Sequence, residues 1–313
     1  MGTLLTRGVK WDKVIKNRDY KKRLPMKYWP LFCIYMTGGK SMKKLLTAVL
    51  ACTLLLSGCG SSAPERAVSQ TTGKTYFKVG MDCDDAPFNS QTKQQTSSSV
   101  IISDDSYSVG YDVNIARKLA ETMGEEIQVK KISRDTLKDS LDKYDIDVII
   151  SALSPSEALK KEMDFTKPYY SSERVLVVRK DDKAAKYKDI AQFKGLKVAA
   201  LANSSFDDAI NEIKEVKHAD ALKNTTELVK ALTDKKVDAI VVGKESAQSI
   251  VKKNKDLVVV TPDEKKGFST KADYVIGVKK GTTDEDFFEN LQKALDGISK
   301  EDKETFMKAA IAK

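Results

Sequence analysis

The chain has 313 residues and a formal net charge of +9, a balance that on its face points to a polyanionic partner. The excess sits at one end: residues 1–59 carry 12 Lys and Arg against 2 Asp and Glu, leaving 42 against 43 for the rest. The body of the chain is therefore near neutral, which excludes nucleic-acid binding through a basic patch, and its length of about 250 residues suits one large or two small domains.

Residues 1–41 are basic and follow neither a helical nor a strand period. They read as a mis-assigned start or an unstructured extension, with translation beginning at Met42. Residues 42–58 (MKKLLTAVLACTLLLSG) have the form of a signal peptide: two lysines, an apolar run, then Ser57 and Gly58. The run is about a dozen residues long, short of the roughly 20 needed to span a bilayer as a helix. Cys59 follows directly, and Leu56-Ser57-Gly58-Cys59 resembles a bacterial lipobox, which implies lipid on Cys59 and attachment to the extracytoplasmic face of the cell membrane. Residues 59–75 are then the lipidated end and a small, polar, flexible tether. Cys33 and Cys52 lie in or before the signal, so Cys83 is left alone and neither an intramolecular disulfide nor a cysteine metal cluster can form. His218 is the only histidine and lies among charged residues. No metal or cofactor is expected.

From residue 76 strands and helices alternate. Residues 77–81 alternate as a strand; 89–108, rich in Ser, Gln and Thr, read as a surface insertion holding a small hairpin. Asp112 is the expected N-cap of a helix bearing Val113, Ala116, Ala120 and Met123 and ended by Gly124. Residues 127–132 form a strand, Leu137 and Leu141 mark a short helix, and 146–150 are a fully buried strand. Residues 164–170 read as a loop and turn, 175–178 as a strand leading out of the first unit, and 180–188 as an exposed link. A second series follows: strands at 197–201, 237–242 and 257–260, with helices at 206–213, 227–232 and 246–251. Residues 274–278 form another strand. Thr283 caps a helix whose apolar stripe is Phe287, Leu291, Leu295 and Ile298, and Ser299 caps the last helix. Two such series argue an α/β fold with mostly parallel sheets in two lobes.

Four phrases, in this order, resemble the bacterial extracellular solute-binding proteins of family 3, which serve polar amino-acid ABC transporters. They are VGMDCDDAPF at 79–88, GYDVNIARKLA at 110–120, DVIISALSP at 147–155 and DFTKPYY at 164–170. The resemblance implies an α/β, two-lobed periplasmic-binding-protein-like clamshell of type II. Two crossover strands would form the hinge, and the first lobe would be discontinuous, with residues 76–176 and 274–313 in lobe 1 and 177–273 in lobe 2. A few lyases resemble this fold, but the sequence offers no nucleophile–base pair, metal cluster, phosphate-binding glycine loop or suitably placed histidine, so a monomer that is not an enzyme is expected. The small, polar, amino-acid-like solute would be enclosed between the lobes and delivered to an ABC permease in the membrane. A solute receptor of the same fold, signalling rather than transporting, is the alternative.

The expected ligand-binding positions are Asp85, Phe88, Arg134, Ser151, Ala152, Ser154, Leu159, Ser204, Ser205 and Gly243. The resemblance places aromatic residues where Asp85 and Arg134 stand. It places the arginine that clamps an α-carboxylate at Leu159, and the acid for the α-ammonium at Gly243. Ser151 and Ser154 keep hydroxyls in the loop after the buried strand, Ala152 has lost one, and Ser204 and Ser205 replace a threonine pair. Loss of both clamps implies weak binding of ordinary α-amino acids, unless Arg134 and Asp85 supply a relocated charge pair.

Overall fold

The computed structural model describes residues 66–282 and 285–312; the extension, the signal, Cys59 and the Thr283 cap lie outside the described residues. Among the described residues, no helix is long and apolar enough to cross a membrane.

Strand β1 (Tyr76–Met81) buries Phe77, Val79 and Met81, the alternation its sequence shows. The stretch expected as an insertion with a hairpin is more ordered than its polarity suggests. β2 (Asp84–Asp85), β3 (Asn89–Thr92), β4 (Val100–Ser103) and β5 (Ser106–Val109) form a four-stranded antiparallel sheet in the order β2-β3-β5-β4. Helix α1 (Tyr111–Met123) is entered through Gly110 at φ 130, where a Cβ would lie 2.2 Å from the Phe88 carbonyl oxygen. Only glycine fits so close an approach with that backbone. The cap is thus Gly110, and Asp112, expected as the N-cap, is instead a buried first-turn residue. Gly124 ends the helix in the left-handed conformation.

β6 (Glu126–Lys131), helix α2 (Leu137–Asp142), β7 (Val148–Ile149), helix α3 (Leu159–Glu162) and β8 (Met163–Phe165) complete the first part of lobe 1. β8 lies where a loop was expected: three residues show no period, and the strand exists because a late segment of the chain pairs with it. β9 (Tyr170–Ser172) leads out of the lobe to β10 (Arg174–Arg179), which lies wholly in the second sheet, so the chain crosses before Arg174.

The second lobe contains β11 (Lys197–Ala199), α4 (Ser205–Ile210), β12 (Lys217–His218), α5 (Thr225–Thr233), β13 (Ala239–Gly243), α6 (Lys244–Lys253) and β14 (Leu257–Val260). Its sheet has the order β12-β11-β13-β10-β14. β13 is buried along its whole length, as its run of Ala, Ile and Val predicts. β15 (Ala272–Tyr274) returns antiparallel to β9, so these two strands are the crossover pair. The strand expected at 274–278 is split: after Tyr274 the chain changes sheets and resumes as β16 (Gly277–Lys279), antiparallel to β7 and β8. The first lobe's sheet is therefore β6-β1-β7-β16-β8, closed by a strand from the far end of the chain. α7 (Glu285–Asp296) and α8 (Lys300–Ile311) pack on α1, burying Leu291, Leu295 and Met307. Each such side chain contributes about 1.5–3 kcal/mol on burial.

Candidate functional site

The lobes meet along a seam made by the loops that follow β1 and β7 in the first lobe and by the starts of α4, α5 and α6 in the second. Three residues there adopt a positive φ without being glycine: Cys83 at 58°, Ala152 at 45° and Asn203 at 58°. Such conformations cost about 1–3 kcal/mol each and persist only where their surroundings hold them. Asp112 provides that support for Ala152. Its Oδ2 accepts the Ala152 N–H (2.7 Å) and the Asn89 side-chain amide (2.7 Å), and its Oδ1 accepts the Tyr169 hydroxyl (2.8 Å). Burial raises its pKa to about 6 against the pull of these donors.

At the centre is a buried ion pair. Arg134 Nε donates to Asp82 Oδ2 (2.8 Å) and its Nη2 donates to the Ser151 carbonyl (2.8 Å). Ser151 Oγ donates to Asp82 Oδ1 (3.0 Å) and accepts the Asp82 N–H (3.0 Å). The two charged side chains are 8% and 4% exposed. The ion-pair partner of Arg134 is thus Asp82, not Asp85. Asp85 is also buried and accepts a hydrogen bond from Ser246 Oγ of the second lobe (2.7 Å). Burial raises its pKa to about 7; Arg134 and Ser246 pull the other way without overcoming it. The Cys83 thiol is likewise pushed up to about 11 by burial, so the thiolate is disfavoured.

At one end of the seam Ser154 Oγ and Ser205 Oγ are 2.5 Å apart and the Ser205 N–H donates to the Ser154 carbonyl (2.8 Å). Ser204 caps α4 through the Asp207 N–H (3.3 Å). At the other end Asp84 accepts from the Thr226 N–H (2.8 Å) and hydroxyl (2.7 Å). A cavity of about 660 Å³ opens beside these contacts, lined from both lobes by Asp82, Asp84, Lys131, Arg134, Asn224 and Thr226.

The remaining expected positions are placed differently. Phe88 is fully buried and packs edge-on against Tyr274 (4.7 Å between centroids) and Tyr170 (5.4 Å), a core contact. Leu159 packs among Leu137, Leu141, Ile149, Leu153 and Met163, and borders a cavity of about 210 Å³ shared with Arg134 and Asn203. At Gly243 a Cβ would lie 2.3 Å from Tyr274 Oη and 2.9 Å from Ser172 Oγ, so the space a side chain would need is filled. Residues that sequence reasoning missed include Asp82 and Asp112, both inside the quoted phrases, and Ser246, which no local pattern marks.

This chain belongs to the bacterial extracellular solute-binding proteins, family 3, whose model matches residues 77–308. It is 29% identical over 230 residues to the arginine-binding extracellular protein ArtP of Bacillus subtilis, covering 72% of this chain and 82% of that protein. It is 29% identical to a probable histidine-binding protein of Campylobacter jejuni, covering 69% and 80%. Among solved structures, holo ArgBP from T. maritima superposes with a TM-score of 0.59 at 28% identity, covering 72% of this chain and 92% of that one. The arginine-bound amino-acid ABC transporter substrate-binding protein AbpA of Streptococcus pneumoniae has a TM-score of 0.63 at 23% identity, covering 76% and 94%, a likeness of fold. The relatives are amino-acid-binding proteins, many of them of ABC transporters, and the fold is their two-lobed α/β clamshell.

Proposed function

We propose that this protein is the substrate-binding component of an ABC importer for a small polar solute of the amino-acid class, held between its lobes and handed to a membrane permease. The observation that carries the reading is the cavity of about 660 Å³ whose polar lining comes from both lobes. Its volume lies within the range of small-molecule sites. Groups contributed from both sides give a solute a means of drawing the lobes together. Arg134, Asp82, Ser151, Ser154 and Ser205 are the polar groups of the seam, with Asp85 and Ser246 adding a contact across it. We further propose that the protein acts as a monomer anchored by lipid on Cys59.

The test is a thermal-shift screen of the purified protein against amino acids. A solute at 100 times its dissociation constant adds about 2.7 kcal/mol of stability, which a melting curve resolves readily. Absence of any response across the amino acids would count against the ligand class. For the anchor, Cys59→Ala is expected to release the protein or leave it unprocessed, because stable anchoring needs two or more acyl chains. Unchanged, salt-resistant membrane retention of that variant would refute lipidation.

A further inference from the structure

Leu159 stands where the resemblance expects an arginine, and the structure makes that position part of an apolar wall. Within its buried cluster, Leu159 and Leu153 are the most exposed members, at 8% and 7%. Both border the cavity of about 210 Å³, with Leu137 and Met163 beside them. The far side of this cavity comes from the second lobe, through Ala202 and Asn203. Asn203, at φ 58, is held there by the Ser156 N–H, which donates to its carbonyl (3.2 Å). The charged residues on the rim are already engaged: Arg134 with Asp82, Asp135 with Lys223 and Lys138 with Glu162. Asp139, the remaining one, is exposed to solvent. A charged group entering the cavity would lose water without gaining a free counter-charge, whereas a hydrocarbon group gains by leaving water. An apolar cavity of about 150 Å³ holds benzene, so one of about 210 Å³ admits a side chain of leucine or methionine size. Arg134 also lines the cavity of about 660 Å³, so its side chain is a wall common to both.

We propose that the cavity beside Leu159 is a side-chain subsite of the cleft and that the solute carries an aliphatic side chain the size of leucine's or methionine's. The polar end of the solute stays with the polar groups of the larger cavity. The proposal rests on the reading of this chain as an amino-acid-class binding protein, and it names the members of that class the cleft selects. Position 159 then selects by apolar contact and not by charge. Because the leucine wall belongs to the first lobe and Ala202 and Asn203 to the second, an aliphatic group is enclosed only when the lobes meet. Its burial therefore favours the closed arrangement.

The experiment is calorimetry and thermal shift on the purified protein with L-leucine and L-methionine against glycine, L-glutamine and L-arginine. 4-Methylpentanoate serves as the leucine skeleton without its amine. L-leucine or L-methionine is expected to bind at least tenfold more tightly than the other three amino acids, since one methylene in an apolar pocket already changes affinity about tenfold or more. Ala202→Leu fills the cavity from the second lobe. It should lower the affinity for L-leucine and L-methionine at least tenfold and remove their advantage over glycine. Leu159→Ala enlarges the cavity and should move the preference towards L-phenylalanine; it carries the comparison where melting curves show that Ala202→Leu does not fold. Binding of L-glutamine or L-arginine as tight as that of L-leucine and L-methionine overturns the subsite and leaves the amino-acid reading intact. So does an Ala202→Leu protein that keeps the wild-type preference for L-leucine over glycine, or a Leu159→Ala protein whose preference does not move. Binding of 4-methylpentanoate alone, abolished by Ala202→Leu, supports the subsite and overturns the amino-acid class. No binding by any of these probes overturns both.

Discussion

Asp85 stands where the resemblance calls for an aromatic ring, and a carboxyl group there behaves differently with pH. Its folded pKa of about 7 is above the ordinary 3.8, so between these values the folded state holds a proton that the unfolded state has lost. Its contribution to stability therefore falls as pH rises from about 4 to 7 and is constant above that. Asp85→Asn keeps an acceptor for Ser246 Oγ and removes the titration. Its melting temperature, relative to wild type, is expected to rise between pH 5 and pH 8. A slope identical to wild type would show that the carboxyl is not buried as described. Asp112 acts with the same sign, up to about pH 6, so some slope should survive in the variant. Arg134 offers a second check. Its removal leaves Asp82 buried without a counter-charge, and breaking a buried pair from one side costs about 3–5 kcal/mol. Arg134→Ala should show that loss in a denaturant midpoint, with Asp82→Asn restoring part of it; a change below about 1 kcal/mol would mean the pair is solvated.

At the scale of elements, β13 ends at Gly243 against β10 and β15, and Tyr274 Oη fills the space beside it. Gly243→Ala should therefore destabilise by about 1–3 kcal/mol through overpacking. Tyr274→Phe, which removes the clashing oxygen, should recover most of it; urea midpoints of the two single variants and the double decide the matter. The same contact explains why restoring an acid at 243 is not a simple repair. Elements with a strong local signal were readable from residues alone: the buried β13, the alternating β1, and the body and Gly124 end of α1, though not its Gly110 start. What sequence could not supply was partnership. β8 has three residues and becomes a strand only because β16, more than a hundred residues later, pairs with it. The polar segment from 89 to 108 looked like a surface excursion, yet Asn89, Ser106 and Ser108 are buried: their strands pair in one sheet, and their side chains meet Asp112, Gln91 and Cys83 respectively. Asp112 was misread for a related reason: a first-turn Asp usually serves its own helix, whereas this one serves Ala152, forty positions away.

For the whole molecule, the order of the four phrases made the two-lobed plan legible, while the groups that join the lobes were legible only in part. Ser154 and Ser205 came from the resemblance; Asp84, Thr226 and Ser246 are unremarkable in sequence and meet only because β2 is carried across to α5 and α6. These contacts predict how the clamshell responds to mutation. Asp84 accepts two hydrogen bonds from Thr226, at an exposed edge of the seam. Charge-assisted bonds contribute about 1.5–3 kcal/mol when shielded, and solvent reduces this, so about 1–2 kcal/mol is expected for the pair. Such a loss changes the ratio of closed to open molecules roughly five- to thirtyfold. Asp84→Ala should therefore show a larger radius of gyration by small-angle scattering than wild type, and Asp84→Ala/Ser154→Ala a larger one still, because the two sites release opposite ends of the seam. A bound solute should bring both variants back towards the wild-type radius, since it adds contacts available only when the lobes meet. If the double variant scatters as wild type does, the lobes are not held by these hydrogen bonds, and the stiffness must lie in the crossover strands β9 and β15 themselves.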